Sequence, residues 1–374
     1  MQPKKRKISF FNRIIWLFTI LTAILLGVAI LAQYISPVKS WIVSLFGFAF
    51  FSLYMLNAFF LVYWGISKRK FMILPLIMFL AGMKNVTGII QFNIPNSTKI
   101  TEAENEGVKI MSYNVRLFDL YNWSKNLETR EKIFDLISDE APDILCLQEF
   151  FDSDEGDFQN LDTIVKVQKA KNYHFAKNIT LRNVDHWGMA TLSYYPIVSK
   201  GEIKIGEEGT NNMAIFTDIK INGDTIRVYN VHLQSIRFQY KDYEYVQKIE
   251  EKKNIPKVEG SKIIFDRLKK AFIKRASQAE VLHEHINSSP YPVILCGDFN
   301  DTPVSYVYGV LADDLKDAFQ QSGFGFGRTY TGVFPSFRID YILHDKKFKS
   351  SDYNTINKPF SDHYPISCII YVND

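Results

Sequence analysis

Five short segments hold the residues of this sequence that could do chemistry: MSYNVR with Asn114, CLQEF with Glu149, NVHL with Asn230 and His232, CGDFND with Asp298 and Asn300, and SDHYP with Asp362 and His363. Each sets a carboxylate, carboxamide or imidazole at or just past the end of a short apolar run, such as DILCL or YPVILC. A buried strand there would deliver its polar groups to one rim of a sheet. Hard oxygen donors without a cluster of thiols suit Mg²⁺ or Mn²⁺, and imidazoles beside such an ion suit attack of water on a phosphate ester. The expected chemistry is metal-assisted phosphoester hydrolysis.

Taken singly, these residues have ordinary readings. Asn114 could cap a turn, Asp-Phe-Asn could be a tight turn, and a lone histidine is more often structural than catalytic. In CGDFND, however, Asp298 and Asn300 are two apart at a strand end, so their side chains face the same way. The carboxylate can orient the attacking water while the carboxamide donates to phosphoryl oxygens. A cationic imidazole at His232 or His363 would stabilise charge that builds in the transition state, and needs a carboxylate to orient it and raise its pKa.

In family order across residues 107–374, these motifs resemble the endonuclease/exonuclease/phosphatase superfamily, and Gly297 to Pro303 matches its GDFN-x-x-P pattern. The resemblance implies a four-layer α/β sandwich of two mixed sheets flanked by helices. It implies Glu149 as principal metal ligand, Asn114 at the metal or phosphate, Asp362 as a further ligand, and Asp340 in FRIDYIL as the partner of His363. It departs at Tyr194, where members often carry a basic residue, and His232 has no clear acidic partner, Asp185 being only a loose candidate.

The elements that must position these groups divide the chain by charge. Residues 1–100 contain 11 Lys or Arg and no Asp or Glu, so the remainder, with 33 basic and 40 acidic side chains, stands at −7 although the whole is +4. An acidic soluble part does not favour a general nucleic-acid-binding surface. Three apolar stretches, 14–35, 41–66 and 71–92, precede it. About 20 residues cross the hydrocarbon core, so the first two are expected to span a bilayer, while Lys84 interrupts the third. Basic residues cluster before the first span and at Lys68 to Lys70, which puts both on the cytoplasmic side. The third stretch is also expected to span, and three spans place the catalytic domain outside the cytoplasm; two would leave it within.

The expected organisation is a membrane anchor over residues 1–95, a polar linker over 96–106 and a catalytic domain over 107–374. Short β-rich runs recur through the last part, with helical patterns at 126–138 and 262–286, which gives an α/β class preceded by transmembrane helices. Cys146, Cys296 and Cys368 lie in apolar strand-like runs and read as small buried hydrophobes. The segment 237–275 carries 12 Lys or Arg against 6 acids. It reads either as a solvated helix or as a basic lip, with Lys269, Lys270, Lys274 and Asn230 as expected substrate contacts and Arg275 and Gln278 as structural supports. Three functions fit: a membrane-anchored nuclease or phosphodiesterase, a phosphoesterase for lipid or inositol phosphate headgroups, and a binding domain without catalysis. The expected partners are a phosphoester substrate, nucleic acid or phospholipid headgroup, and the bilayer; no obligate protein partner is implied.

Overall fold

The computed structural model describes residues 9–93, 107–206, 212–236, 257–332 and 337–372. The N-terminal apolar stretches form four helices: α1 (Phe10–Leu31), α2 (Pro37–Phe48), α3 (Phe50–Ser67) and α4 (Ile73–Val86), followed by a short strand, β1 (Ile90–Phe92). Ser9 caps α1 by accepting from the Asn12 amide, and Pro37 starts α2, where its missing N–H costs nothing. The second stretch is not one span. The chain turns at Ala49, close to the point where Gly47 meets Ala32 and the Val304 carbonyl, and α2 packs against a later helix instead of continuing into α3. The third stretch gives only the 14-residue α4 before turning into β1. Two helices, α1 and α3, are long and apolar enough to cross a membrane, and both pack against other helices of the bundle.

The rest is an α/β fold. Its strands are β2 (Val108–Asn114), β3 (Ile144–Ser153), β4 (Asn172–Leu181), β5 (Asp185–Ser193), β6 (Ile197–Ile203), β7 (Met213–Ile221), β8 (Asp224–His232), β9 (Val293–Asp298), β10 (Leu315–Asp317), β11 (Phe324–Phe326), β12 (Asp340–Asp345), β13 (Lys349–Thr355) and β14 (Ile366–Tyr371). Helices α5 (Thr129–Glu140), α6 (Asn160–Gln168), α7 (Lys257–Asn287), α8 (Tyr306–Leu311) and α9 (Ala318–Ser322) lie between them. Two six-stranded mixed sheets result, ordered β13-β14-β2-β3-β5-β4 and β10-β12-β9-β8-β7-β6. In each, one parallel pair sits near the centre: β2 with β3, and β8 with β9.

Burial follows from strand composition. Val108, Ile110, Ile144, Ile226, Ile294 and Ile342 meet between the sheets together with all three cysteines, which are free and buried as expected. The outer face of the first sheet is covered by α5 and α6 through Ile133, Phe134, Ile137 and Ile164; that of the second by α7 and α8 through Ala279, Leu282 and Val307. Arg275 is fully buried, bonding Asp301 at 3.1 Å and the Gln234 carbonyl at 2.9 Å, while Gln278 accepts from the Gln234 amide, so both act as structural supports.

The bundle docks directly on this fold. β1 pairs antiparallel with β11, and Arg338, buried on Asp317, donates through Nε to the Gly88 carbonyl at 2.9 Å. A buried Arg–carboxylate pair is costly unless its remaining donors are satisfied, and Gly88 supplies that acceptor. Close backbone approach is sharpest at Gly297 in β9, where φ is +139° and an added Cβ would lie 2.0 Å from the Val231 carbonyl oxygen. Gly297→Ala is therefore expected to lower unfolding free energy by more than the 1 to 3 kcal/mol of backbone strain alone. Gly156→Ala, at φ +72° with nothing within 4 Å, should lose only about 1 kcal/mol. Thermal unfolding midpoints of the two variants check this; equal losses would contradict it.

Candidate active site

Register brings the polar strand ends together. In the parallel pairs Asn114 lies opposite Gln148, and His232 opposite Asp298, so β2, β3, β8 and β9 release these residues at one edge of the sandwich. Asp298, buried at the end of β9, is the meeting point. Its Oδ2 accepts from Asn114 Nδ2 at 3.2 Å and from Asn300 Nδ2 at 3.1 Å, and its Oδ1 from the Asn300 amide at 2.8 Å. His232 Nε2 and His363 Nε2 each lie 3.7 Å from the same carboxylate. Asn300 takes a left-handed conformation, φ +54°, which asparagine tolerates.

His363 and Asp340 form the expected pair, Nδ1 to Oδ2 at 2.9 Å. Thr329 Oγ1 holds the Asp340 amide at 3.1 Å, and Tyr330 bridges to His363, so a loop outside the sequence motifs fixes the pair. Burial disfavours charge on His363, but the Asp340 and Asp298 carboxylates outweigh it and raise its pKa well above the ordinary histidine value. Burial also pushes Asp298 up, with Asp340 adding to it and the two imidazoles opposing.

Glu149 does not end its strand, as its place in the sequence implied. It occupies a bulge inside β3, between Leu147 and Phe150, with φ +48°. A bulge re-aims one side chain without ending the ladder, and here it turns the carboxylate to within 3.6 Å of His232 Nε2. Glu149 is thus the acidic neighbour that His232 lacked in the sequence; Asp185 instead binds Ser153 and Arg182. Burial raises the Glu149 pKa and the nearby Asp362 carboxylate raises it further, with His363 and Asn114 opposing. Arg116, which motif reading passed over although it closes MSYNVR, lies 3.4 Å from Asp362 at the head of a left-handed turn running from Arg116 to Asp119. Non-glycine residues in that conformation cost energy and concentrate at functional sites. Ser361 bonds the Asn114 carbonyl at 2.8 Å, tying the Asp362 loop to β2.

Two expectations about substrate contacts change. Asn230 is fully buried between the sheets, where its amide bonds the Leu147 and Ala190 carbonyls and its oxygen accepts from Gln148 at 2.7 Å; it clamps the sheets and reaches no substrate. Of the three lysines, Lys270 and Lys274 border a small depression beside Ser235 and Ile236, whereas Lys269 lies towards Trp41 of α2, 5.9 Å from its ring. Most of the basic segment, 237–256, lies outside the described residues. Tyr194, standing where a basic residue was expected, has the Lys171 ammonium 3.7 Å from its ring centroid.

A cavity of about 560 Å³ contains Glu149, His232, Asp298, Asn300, Asp362 and His363. At its wall the buried Asp298 and His363, with Asp340 behind His363, offer donor atoms all within 4.8 Å of one another, a group that could hold a metal ion.

Comparison with known proteins agrees with this geometry. The family described as endonuclease/exonuclease/phosphatase matches residues 111–363, more than half of the chain, and this protein belongs to it. It is accordingly a metal-dependent phosphoester hydrolase of that family. Residues 12–89 match a family described only as a domain of unknown function. Among solved structures, an endonuclease/exonuclease/phosphatase from Beutenbergia cavernae is 16% identical with a TM-score of 0.51, covering 71% of this chain and 72% of its own. A family protein from Bacteroides thetaiotaomicron is 16% identical with a TM-score of 0.52, covering 72% and 96%. A conserved protein of unknown function from Enterococcus faecalis is 17% identical with a TM-score of 0.50, covering 70% and 98%. These likenesses establish the fold. No curated protein matched the chain.

The Asp340 contact generates a spectroscopic expectation. With its pKa raised, His363 holds its proton to higher pH than an ordinary histidine; Asp340→Asn removes the largest favourable charge and should let it titrate at a lower pH. Histidine resonances followed by NMR across pH 5 to 9 (about the range in which histidines titrate) check this. An unchanged His363 titration in the variant would contradict the pairing.

Proposed function

We propose that this protein is a membrane-anchored phosphodiesterase dependent on Mg²⁺ or Mn²⁺, with residues 1–95 as anchor, 96–106 as linker and 107–374 as catalytic domain. The observation that carries the reading is the convergence on Asp298 of Asn114, Asn300, His232 and His363 in a cavity whose rim also holds Glu149 and Asp362. Asp298 accepts a proton from, and aims, the attacking water. Asn300 and the His232 and His363 imidazoles stabilise charge on the phosphoryl oxygens, and Asp340 keeps His363 oriented and cationic.

The donor set fits a hard cation. Glu149 and Asp362 face each other closely enough to raise the Glu149 pKa, a repulsion that a divalent ion relieves, and Asn114 adds a neutral oxygen. We assign the ion to these residues because the Asp340 carboxylate is already engaged by His363 Nδ1. Bound there, the ion would polarise a phosphoryl oxygen and offset its charge.

Membrane anchoring is supported by an inside-out pattern in the bundle. Thr19, Thr22, Asn57 and Asn85 are buried between helices, where Trp64 Nε1 bonds Thr19 and Asn57 bonds the Pro75 carbonyl. The large apolar side chains point outward, Leu17, Leu21 and Ile24 on α1 and Phe59, Val62 and Ile66 on α3. Water-soluble helices place these classes the other way round; polar and small residues inside with apolar residues outside is the lipid arrangement. The basic flanks put the start of α1 and the turn over residues 68–70 on the cytoplasmic side; Gln33, Phe48 and Gly88, which meet the catalytic domain, lie at the opposite end of the bundle, so α4 leads back across and the domain sits on the extracytoplasmic face.

Two outcomes are expected. Hydrolysis of a simple aryl phosphodiester by the full chain in detergent should require added Mg²⁺ or Mn²⁺. Glu149→Gln should raise the metal midpoint by about tenfold or more, while Asp298→Asn and Asp340→Asn lower turnover at nearly unchanged midpoint; a midpoint shifted by Asp340→Asn and not by Glu149→Gln would relocate the ion. An export-dependent phosphatase fusion at the C-terminus should be active and a cytoplasm-only fluorescent fusion dark, and the opposite pattern would place the domain in the cytoplasm.

A further inference from the structure

One wall of the active-site cavity belongs to the N-terminal bundle. Leu45, Phe48 and Ala49, at the end of α2, line the same cavity as Glu149, Asp298 and His363. Phe48 is fixed there by ring contacts with Phe337 at 5.2 Å and Phe272 at 5.5 Å. Across from it, Ile264 and Leu268 of α7 and Phe337 extend the apolar surface. The same two helices carry that character outward through exposed Ile42, Ile263 and Phe265. The cavity therefore has two ends of opposite chemistry: a carboxylate–imidazole end suited to one phosphate and its cation, and an aliphatic and aromatic end beside it.

Among the described residues no Lys or Arg lines this cavity. Lys270 and Lys274 border a separate depression that meets the cavity at Ser235 and Ile236; along the described lining itself a polyanion's further phosphates would meet no cationic side chain, and the −7 balance of residues 101–374 supplies no background attraction. A hydrocarbon chain, by contrast, would cover Leu45, Phe48, Ile264 and Leu268 and gain their desolvation. We propose that the substrate is an amphiphilic phosphodiester of the lipid class. Its phosphate occupies the Asp298 cluster and its hydrocarbon portion lies against the wall formed by α2 and α7. The bundle is then a specificity-determining part of the site as well as an anchor. This inference rests on the phosphodiesterase reading above.

A homologous series separates the two. Alkyl p-nitrophenyl phosphates with methyl, butyl and octyl groups share one reaction: water adds its oxygen to phosphorus, the aryl P–O bond breaks, p-nitrophenolate leaves, and a proton passes to the buffer. They are assayed with the full chain and Mn²⁺ at fixed detergent, below their own aggregation concentrations. Full burial of one methylene is worth about fourfold, so kcat/KM should rise at least about thirtyfold from methyl to octyl even with partial burial. Leu45→Ser combined with Leu268→Ser should cut that octyl-to-methyl ratio to below about a third of its wild-type value, while Phe48→Leu, which keeps an apolar surface, should retain most of it. A flat series in the wild type, with the methyl ester hydrolysed, overturns the inference and leaves the phosphodiesterase reading standing. So does a short oligodeoxynucleotide cleaved more efficiently than the octyl ester. Failure to hydrolyse any member with Mg²⁺ or Mn²⁺ overturns both.

Discussion

Buried carboxamides bridging the two sheets are the constraint on which the site depends. Gln148 of β3 donates to Asn230 of β8 at 2.7 Å, Asn230 donates onward to the Leu147 and Ala190 carbonyls, and Asn114 of β2 donates to Asp298 of β9 at 3.2 Å. These groups are almost wholly removed from water. An unmade hydrogen bond at such a place costs about 1 to 3 kcal/mol, so sliding one sheet against the other by a single residue would cost several of them together. Apolar residues between the sheets would tolerate many registers; the amides select one. That register places Asn114 and Glu149 of one sheet against Asp298 and His232 of the other.

Once fixed, the site concentrates like charge. Asp298, Asp362 and Glu149 share a partly dry pocket with Asp340 close behind, and burial together with mutual repulsion raises the pKa of both Glu149 and Asp298. The counterweights are placed individually: His363 on Asp340, His232 between Glu149 and Asp298, Arg116 on Asp362. Backbone conformations of positive φ at Arg116, Glu149 and Asn300 are part of how these side chains reach their positions. Stability given up in this way is characteristic of a surface organised for binding an ion and an anion rather than for packing.

The N-terminal helices set that polar centre beside an apolar surface. Their interior holds buried Thr and Asn among apolar and aromatic side chains, large apolar side chains face outward, and they are fastened to the α/β fold by Arg338 at Gly88, by the β1–β11 pair and by Phe48 between Phe272 and Phe337. A tethering segment needs no such contacts. Docking of α2 against α7 closes one side of the cavity and joins two parts of the chain that the charge distribution alone divides.

Much of this was legible in the residues. The apolar runs VKIMSYN, YPVILCGDF and RIDYILH became β2, β9 and β12 because short β-branched runs leave little choice once buried on both faces, and the polar residues at their ends were placed by strand direction alone. The Asp340–His363 pair followed from a resemblance and stands at 2.9 Å. Strands β6 and β13 escaped notice because IVSKGEI and KSSDYNT carry no sustained apolar alternation, being largely exposed edge strands ordered by their neighbours. Tertiary structure alone decided that Asn230 faces the other sheet, that Glu149 turns out of a bulge towards His232, and that Phe48 belongs to the active site. Each depends on what lies across from a residue, and local sequence governs only what lies along the chain.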